Sequence, residues 1–181
     1  MTEEKGLVIL YTGEGKGKTT AALGLVLRAV GYKKKCLIIQ FGKAWFTGEI
    51  ASIKKLAPFV EIIQGGKGFM NIDKFALKSN QPKEKHEKAA QETFDLLYKE
   101  VISDNWDIVV ADEIVGAVSS GILDLALAEK LIKDKPQRLD LVLTGHHAPK
   151  NLIKMADLAT EMVEIKHPFQ KGILAKKGVD F

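Results

Sequence analysis

Nine consecutive residues near the N-terminus have the types and spacing needed to hold a triphosphate. They are Thr12, Gly13, Glu14, Gly15, Lys16, Gly17, Lys18, Thr19 and Thr20. Backbone N–H groups of a glycine-rich loop can converge on phosphate oxygens, and the N-terminus of a following helix adds partial positive charge. In this pattern the lysine at position 18 reaches the outer phosphates, and the threonine at position 19 binds Mg²⁺. The sequence therefore predicts a P-loop.

This loop departs from the usual G-x-x-x-x-G-K-[ST] pattern at one position. Thr12 stands where the first glycine is usual, and the glycine is displaced by one residue to Gly13. Because glycine allows positive φ and close approach of the backbone, Gly13, Gly15 and Gly17 can still form an anion-binding nest. We therefore expect a P-loop of unusual form.

A second motif is the acidic pair Asp112-Glu113, which ends the apolar run 108–111. In P-loop proteins such an aspartate holds Mg²⁺ directly or through water, and the following glutamate can bind the metal or polarise a nucleophile. Taken alone, an acidic pair at a strand end is as often simply exposed to solvent. Together with the P-loop, the pair predicts a Mg²⁺ site formed by Thr19, Asp112 and Glu113.

The residues that phosphoryl transfer to water usually requires, a positioned base and often an arginine finger, are not evident. Arg28 lies in the predicted helix after the loop, and Arg138 lies in a predicted surface turn after Pro136. Neither position suits a finger. Nothing in the sequence favours hydrolysis.

Aromatic and histidine residues follow several of the predicted strands. Phe46 and Phe69 belong to loops at one end of the sheet, where rings can stack on a large flat ligand, although a single ring is more often a core anchor. The pair His146-His147 follows the fifth strand. Adjacent histidines cannot easily share one metal, so we expect polar contacts near the nucleotide rather than zinc binding.

Strand and helix patterns alternate along the chain. Short apolar runs predict strands at 7–11, 37–41, 60–63, 108–111 and 139–143, with a last strand within 158–165. Apolar residues at helical spacing predict helices at 18–30, 82–102 and 125–133, and another that begins at Ala148-Pro149. This alternation predicts an α/β domain with a mostly parallel sheet, helices on both faces and ligands at the carboxyl ends of the strands, as in RecA-like P-loop NTPases.

Composition restricts the class of protein. A chain of 181 residues with 46% hydrophobic residues predicts one domain, residues 1–181, in which 166–181 form an ordered tail near the site. The polar start and the lack of a long apolar run favour a cytoplasmic protein without a membrane partner. The net charge of +4 comes from dispersed lysines, which argues against nucleic acid. The single cysteine, Cys36, is expected to be buried.

Taken together, these motifs resemble the P-loop ATP:corrinoid adenosyltransferases over nearly the whole chain. The form T-G-x-G-K-G-K-T of the loop is itself a trait of that family, and the C-terminal block is equally specific. The resemblance rests on 12–22, 27–31, Gln40-Phe41 with Lys43, 47–49, 68–69, 112–114, 143–145, 148–149, 156–158, 160–162, 166–169, 172–173 and 177–181.

The resemblance implies that a corrinoid reduced to Co(I) attacks the ribose 5′-carbon of ATP and displaces triphosphate, in the synthesis or salvage of adenosylcobalamin. It implies that Lys18 and Thr19 act on the leaving group, that Arg28 and His146 belong to the binding site, and that Phe69 lies under the corrin. It also implies Mg²⁺, a homodimer and a reductant such as a flavoprotein.

The chain departs from the family pattern at three places. Asn71 replaces the tryptophan of G-F-x-W, Val115-Gly116 replaces a frequent Asn-Tyr, and His146 replaces the arginine of T-G-R. Two alternatives stay open: a P-loop ATPase or kinase, which the bare motifs permit, and an ATP-binding module with a degenerate corrinoid site, which these departures suggest. Release of triphosphate, rather than of ADP and phosphate, would argue against an ATPase or kinase. Binding of reduced cobalamin would argue against the ATP-binding module.

Overall fold

A computed structural model of the chain describes residues 5–43, 46–66 and 82–180. Its six strands are β1 (Val8–Thr12), β2 (Cys36–Gln40), β3 (Val60–Gln64), β4 (Ile108–Asp112), β5 (Asp140–Thr144) and β6 (Leu158–Glu161). They form one sheet in the order β3-β2-β4-β5-β1-β6, and every pairing is parallel. All of their carboxyl ends therefore lie at the same edge of the sheet. The predicted parallel α/β fold is confirmed.

Within the described residues, six α-helices connect these strands. They are α1 (Lys18–Val30), α2 (Gly48–Ile53), α3 (Lys83–Ile102), α4 (Ile114–Ser119), α5 (Leu125–Asp134) and α6 (Lys150–Met155). Short 3-10 helices occur at Lys54–Leu56 and Pro168–Lys171. Within the described ranges, none of the helices has the length and apolar character needed to cross a bilayer.

Alternating side chains of the strands build two cores, because successive residues of a strand point to opposite faces of the sheet. One core packs beneath α3, α4, α5 and α6 and includes Leu10, Leu37 and Leu141. The other packs beneath α1 and includes Ile9, Ile38 and Val142. Helices therefore cover both faces of the sheet, as the apolar runs predict. Together these cores hold the strand ends in fixed positions.

Cys36 belongs to the core beneath α1, where it is fully buried and free of disulfide bonding. Burial raises the pKa of its thiol to about 12, since the apolar surroundings disfavour the thiolate. The expectation of a small buried hydrophobic residue is confirmed.

Three features differ from the sequence prediction. The last strand ends at Glu161 and does not continue to residue 165. Helices α2 and α4, of six residues each, lie in segments for which no helix is predicted. Helix α4 contains three β-branched residues and one glycine among its six residues, and all four have low helix propensity. Burial of Ile114 and Val115 outweighs that preference.

Candidate functional site

The P-loop connects the end of β1 to the start of α1, where parallel-sheet proteins bind phosphates. Gly13 and Gly17 have φ values of +98° and +115°, a region of backbone conformation that favours glycine. Gly15 is close-packed: a Cβ atom there would lie 2.8 Å from the carbonyl carbon and oxygen of Met162. Backbone conformation at Gly13 and Gly17, and close packing at Gly15, therefore favour glycine at these three positions of the loop.

Thr12 takes the place of the first P-loop glycine and makes a contact that glycine cannot make. It is 8% exposed, and its hydroxyl oxygen accepts a hydrogen bond of 3.1 Å from the backbone N–H of Ala148. The backbone oxygen of Thr12 also accepts from Met162 N at 2.8 Å, while Gly15 N donates to Met162 O at 2.6 Å. Thr12 thus links the P-loop to the loop after β5 and to the segment after β6.

These contacts predict a strong effect of Gly15→Ala. The added methyl group would push the loop away from the segment after β6, because its Cβ would lie 2.8 Å from backbone atoms of Met162 and Val163. We expect turnover with ATP to fall by about tenfold to a hundredfold through misplacement of the loop. Steady-state kinetics at several ATP concentrations measure this effect.

Gly24→Ala is the matched control for that substitution. Gly24 lies in α1, and an added Cβ has no neighbouring atom within 4 Å. Alanine there should raise the free energy of unfolding by roughly 0.5–1 kcal/mol through helix propensity and leave turnover unchanged. Equal losses of turnover in both variants would contradict the explanation based on packing against Met162.

Lys18 is enclosed by the P-loop and is only 5% exposed. Its Nζ donates hydrogen bonds of 2.7 Å to Gly13 O and 2.9 Å to Gly15 O. Burial lowers the pKa of the Lys18 ammonium, and the nearby carboxylates of Glu113, Glu14 and Asp112 oppose that shift. The loop therefore holds a cation at its centre.

Asp112, at the end of β4, accepts hydrogen bonds from four donors and is fully buried. Its Oδ1 accepts from the hydroxyls of Thr19 at 2.8 Å and Thr144 at 2.7 Å. Its Oδ2 accepts from Gln40 Nε2 at 3.1 Å and Lys43 Nζ at 2.9 Å. These donors come from α1, β5, β2 and the segment after β2. The structure thus brings Thr19 and Asp112 together, as the Mg²⁺ prediction requires.

Glu113 follows Asp112 in a left-handed conformation, with φ of +65°. Its backbone N–H donates to Thr144 Oγ1 at 2.9 Å. Burial and the neighbouring Asp112 raise the pKa of the Glu113 carboxyl to about 7, against the opposing effects of Lys18 and Lys43. A Cβ on Gly116 would lie 2.7 Å from Glu113 Oε2, so glycine at this position leaves space for the carboxylate.

A polar network beside Asp112 contains residues to which sequence reasoning assigned no role. Lys43, whose side chain is 12% exposed, lies between Asp112 and Glu49, and its Nζ is 3.6 Å from Glu49 Oε1. Gln40 Nε2 also donates to Glu49 Oε1 at 3.3 Å, and Gln40 Oε1 accepts from Gln64 Nε2 at 3.2 Å. The polar ends of two apolar strands, Gln40 and Gln64, are the signal that could have indicated this network.

Glu49 is held as a carboxylate by this network. Burial opposes the charge, yet the Thr47 hydroxyl, the backbone N–H of Glu49, Lys43 and Gln40 together lower the pKa of the Glu49 carboxyl. Lys43 therefore has two carboxylate partners, of which Asp112 is the nearer.

His146 and His147 lie beside the P-loop and contact Glu14. The Nδ1 atoms of the two histidines are 3.7 Å and 3.2 Å from Glu14 Oε1. Burial, followed by the effect of Lys18, lowers the pKa of His146, and Glu14 opposes this shift. The histidine that replaces the arginine of T-G-R is therefore close to the loop.

The other predicted site residues lie outside the contacts around Lys18 and Asp112. Thr20 is exposed in the first turn of α1, and Lys16 contacts the C-terminal tail. Arg28 is exposed in the last turn of α1, ten residues after Lys18 and thus about 15 Å along the helix axis, so the structure does not bring it to the loop. Phe69 and Asn71 lie outside the described residues.

Comparisons with known proteins give a consistent result. The model of the family described as ATP:corrinoid adenosyltransferase BtuR/CobO/CobP matches residues 4–181. A corrinoid adenosyltransferase of Sinorhizobium sp is 38% identical, with 99% of this chain and 82% of that protein covered. The corrinoid adenosyltransferases of Pseudomonas aeruginosa and Escherichia coli K12 are 32% and 28% identical, each across 99% of this chain and 85% and 87% of their own lengths.

One solved structure is similar in fold. The KaiC-like protein PH0186 from Pyrococcus horikoshii OT3 superposes with a TM-score of 0.59 at 16% sequence identity. The superposition covers 90% of this chain and 75% of that protein. At this level of identity the similarity concerns the fold alone, and it agrees with the six-stranded parallel sheet.

Proposed function

This chain belongs to the ATP:corrinoid adenosyltransferase family, and on that premise we propose how its residues serve the reaction. The enzyme transfers the adenosyl group of ATP to a reduced corrinoid. An electron pair of Co(I) forms the bond to the ribose 5′-carbon. The bond from that carbon to the α-phosphate oxygen breaks, and triphosphate leaves with its electron pair.

The observation that carries the assignment of roles is the buried cation inside the P-loop. Lys18 is held by two loop carbonyls, at 2.7 Å and 2.9 Å, so its ammonium is fixed where a triphosphate would meet the loop. A fixed cation stabilises charge that develops on a leaving group without reorganisation during the reaction. Because cobalt is the nucleophile, no side chain has to act as a general base. The P-loop residues 12–20 therefore bind and orient ATP and stabilise triphosphate.

The residues around Asp112 fit Mg²⁺. The hydroxyl oxygen of Thr19 and the carboxylate of Asp112 are hard oxygen donors 2.8 Å apart, with the Glu113 carboxylate next in sequence. Mg²⁺ uses one or two such protein ligands together with substrate phosphates. Among the described residues no cluster of three or more His, Cys, Asp or Glu side chains could hold a metal ion, so the substrate phosphates would have to supply further ligands. Bound on the triphosphate, Mg²⁺ would offset negative charge of the leaving group.

Thr144 and Gln40 act as positioning residues for this site. Both hydrogen bond to Asp112 and leave its carboxylate little rotational freedom. Lys43 balances the charge of the buried carboxylate. We assign Glu14 and His146 to the rim of the nucleotide site because they contact each other beside the loop.

The corrinoid half of the site rests on the family resemblance. We propose that Phe69 contacts the lower face of the corrin and that Arg28 belongs to the binding site. We further propose a cytoplasmic homodimer that receives electrons from a flavoprotein reductant. Residues 1–181 would act as one domain, and the contacts of the C-terminal tail with Lys16 support that view.

An anaerobic assay with ATP, Mg²⁺ and chemically reduced cobalamin tests this function. We expect the cobalt–carbon product, followed by its absorbance, to form in equal amount to triphosphate, followed by ion chromatography. Formation of ADP and phosphate would instead indicate an ATPase or kinase. Binding of ATP without corrinoid binding or product would indicate an ATP-binding module.

A further inference from the structure

The end of the chain returns to the P-loop through one residue, Lys16. Its Nζ donates a hydrogen bond of 2.8 Å to the backbone oxygen of Val179 and forms an ion pair with the carboxylate of Asp180. The other carboxylate oxygen of Asp180 accepts from Lys176 N at 2.7 Å, and Asp180 N donates to Lys176 O at 2.8 Å. Residues 176–180, called here the C-terminal turn, thus present a carboxylate to the loop.

Little else holds the C-terminal turn to the body of the protein. In the described part of the chain, every hydrogen bond from residues 176–180 to the rest of the molecule involves Lys16. The apolar side chains nearby are not buried: Leu174 is 73% exposed and Val179 is 65% exposed. Attachment of the turn therefore depends mainly on the charge of Lys16.

Lys16 belongs to the same loop that binds the triphosphate, two residues before Lys18. The side chain is long and flexible, and it is 43% exposed, so its ammonium can reorient. Two anions can therefore pair with the Lys16 ammonium: the carboxylate of Asp180, which the chain holds nearby, and the triphosphate. A tethered group competes at an effective concentration of about millimolar, which is high enough to matter against a bound ligand.

We propose that Asp180 is a positioning residue that competes with triphosphate for Lys16 and so limits the affinity of the P-loop for the product. This inference rests on the proposed function, in which triphosphate is the leaving group. When the bond to the ribose carbon breaks, the leaving oxygen keeps the electron pair, so triphosphate carries one more negative charge than it did within ATP. The electrostatic attraction between the cationic loop and the phosphates therefore increases when the bond breaks. Return of Lys16 to Asp180 favours release.

Binding of inorganic tripolyphosphate, measured by calorimetry at low ionic strength, tests this competition. We expect Asp180→Asn to bind tripolyphosphate about three- to fivefold more tightly than the unaltered protein, the range set by a partly exposed ion pair. Asp180→Glu, which keeps the charge, should restore the original affinity. The gain should shrink as salt is added, because exposed charges are screened.

Glu164→Gln is the matched control. It removes an exposed carboxylate that lies between β6 and the C-terminal turn, and among the described residues the hydrogen bond of that side chain comes from Gln170. Its affinity for tripolyphosphate should equal that of the unaltered protein. A gain in this variant as large as that of Asp180→Asn would overturn the proposal, because general loss of negative charge would then be the cause.

Substitution of Lys16 completes the test. In a Lys16→Met background, Asp180→Asn should give no further gain in affinity, since the shared cation is absent. In the unaltered protein, tripolyphosphate should also accelerate tryptic cleavage after Lys176 and Lys177, because the C-terminal turn is released. A gain that persists without Lys16, or weaker binding by Asp180→Asn, would overturn the proposal.

Adenosyl transfer and the competition for Lys16 are measured independently. Tripolyphosphate binding needs no corrinoid, so the competition is measured even if adenosyl transfer does not occur. If the unaltered enzyme forms the cobalt–carbon product while Asp180→Asn shows unchanged inhibition by triphosphate, the function stands and the role of Asp180 is wrong.

Discussion

Lys18→Ala is expected to lower the rate of adenosyl transfer by at least about a hundredfold, the usual effect of removing a fixed group that stabilises developing charge. Lys18 is 5% exposed, and the carbonyls of Gly13 and Gly15 bind its ammonium, so neither water nor another side chain can readily replace it. Production of the cobalt–carbon bond at saturating ATP measures the effect. Near-normal turnover would show that Lys18 has no part in stabilising triphosphate.

Two further variants separate charge from structure. Lys18→Met keeps most of the apolar length of the side chain but removes the charge, so it should lose as much turnover as Lys18→Ala. Lys99→Ala removes a lysine that is exposed in the last turn of α3, and its turnover should be unchanged. Thermal unfolding checks that all three variants remain folded.

Local sequence predicted most of the fold because strand and helix signals are themselves local. The apolar run 37–41 and the strand at Cys36–Gln40 differ by one residue, and the helix predicted at 18–30 matches α1. Helix α4 was missed since its residues favour extended structure, and only packing against the sheet makes it helical. Tertiary burial, which no local pattern contains, decides such segments.

In the functional site, too, local motifs were predictable from the sequence and contacts between distant segments were not. The P-loop and Asp112-Glu113 are contiguous motifs, so the sequence predicted them. The contacts of Asp112 with Gln40 and Thr144 depend on strand order, because β4 lies between β2 and β5. Gln40 and Asp112 are register partners across that pairing. Local periodicity does not contain strand order, and therefore the network around Asp112 was not predicted.

Asp112→Asn is the second substitution with a large expected effect. The carboxylate accepts hydrogen bonds from four donors, whereas an asparagine side chain accepts on one oxygen only. Its amide nitrogen would face donors, and among the described residues Lys43 would keep Glu49, at 3.6 Å, as its remaining acidic partner. We expect the free energy of unfolding to fall by about 3–5 kcal/mol from the unbalanced buried charge. Urea unfolding measures this loss.

Turnover of Asp112→Asn should fall by at least about a hundredfold at saturating Mg²⁺, because the proposed metal ligand loses its charge. Asp124→Asn is the control. Asp124 caps the N-terminus of α5 by accepting from Ala126 N at 2.9 Å, and asparagine caps helices equally well. Neither stability nor turnover should change in that variant. Normal turnover and normal Mg²⁺ dependence in Asp112→Asn would remove Asp112 from the metal site.

The double variant Asp112→Asn/Lys43→Met distinguishes the two losses. Lys43→Met removes the ammonium that the first substitution leaves unbalanced, so part of the lost stability should return. Turnover should stay low, since the metal ligand is still absent. Recovery of stability without recovery of turnover would separate the structural role of the Lys43–Asp112 pair from the part of Asp112 in catalysis. Recovery of both would mean that Asp112 acts on the reaction only by holding the fold.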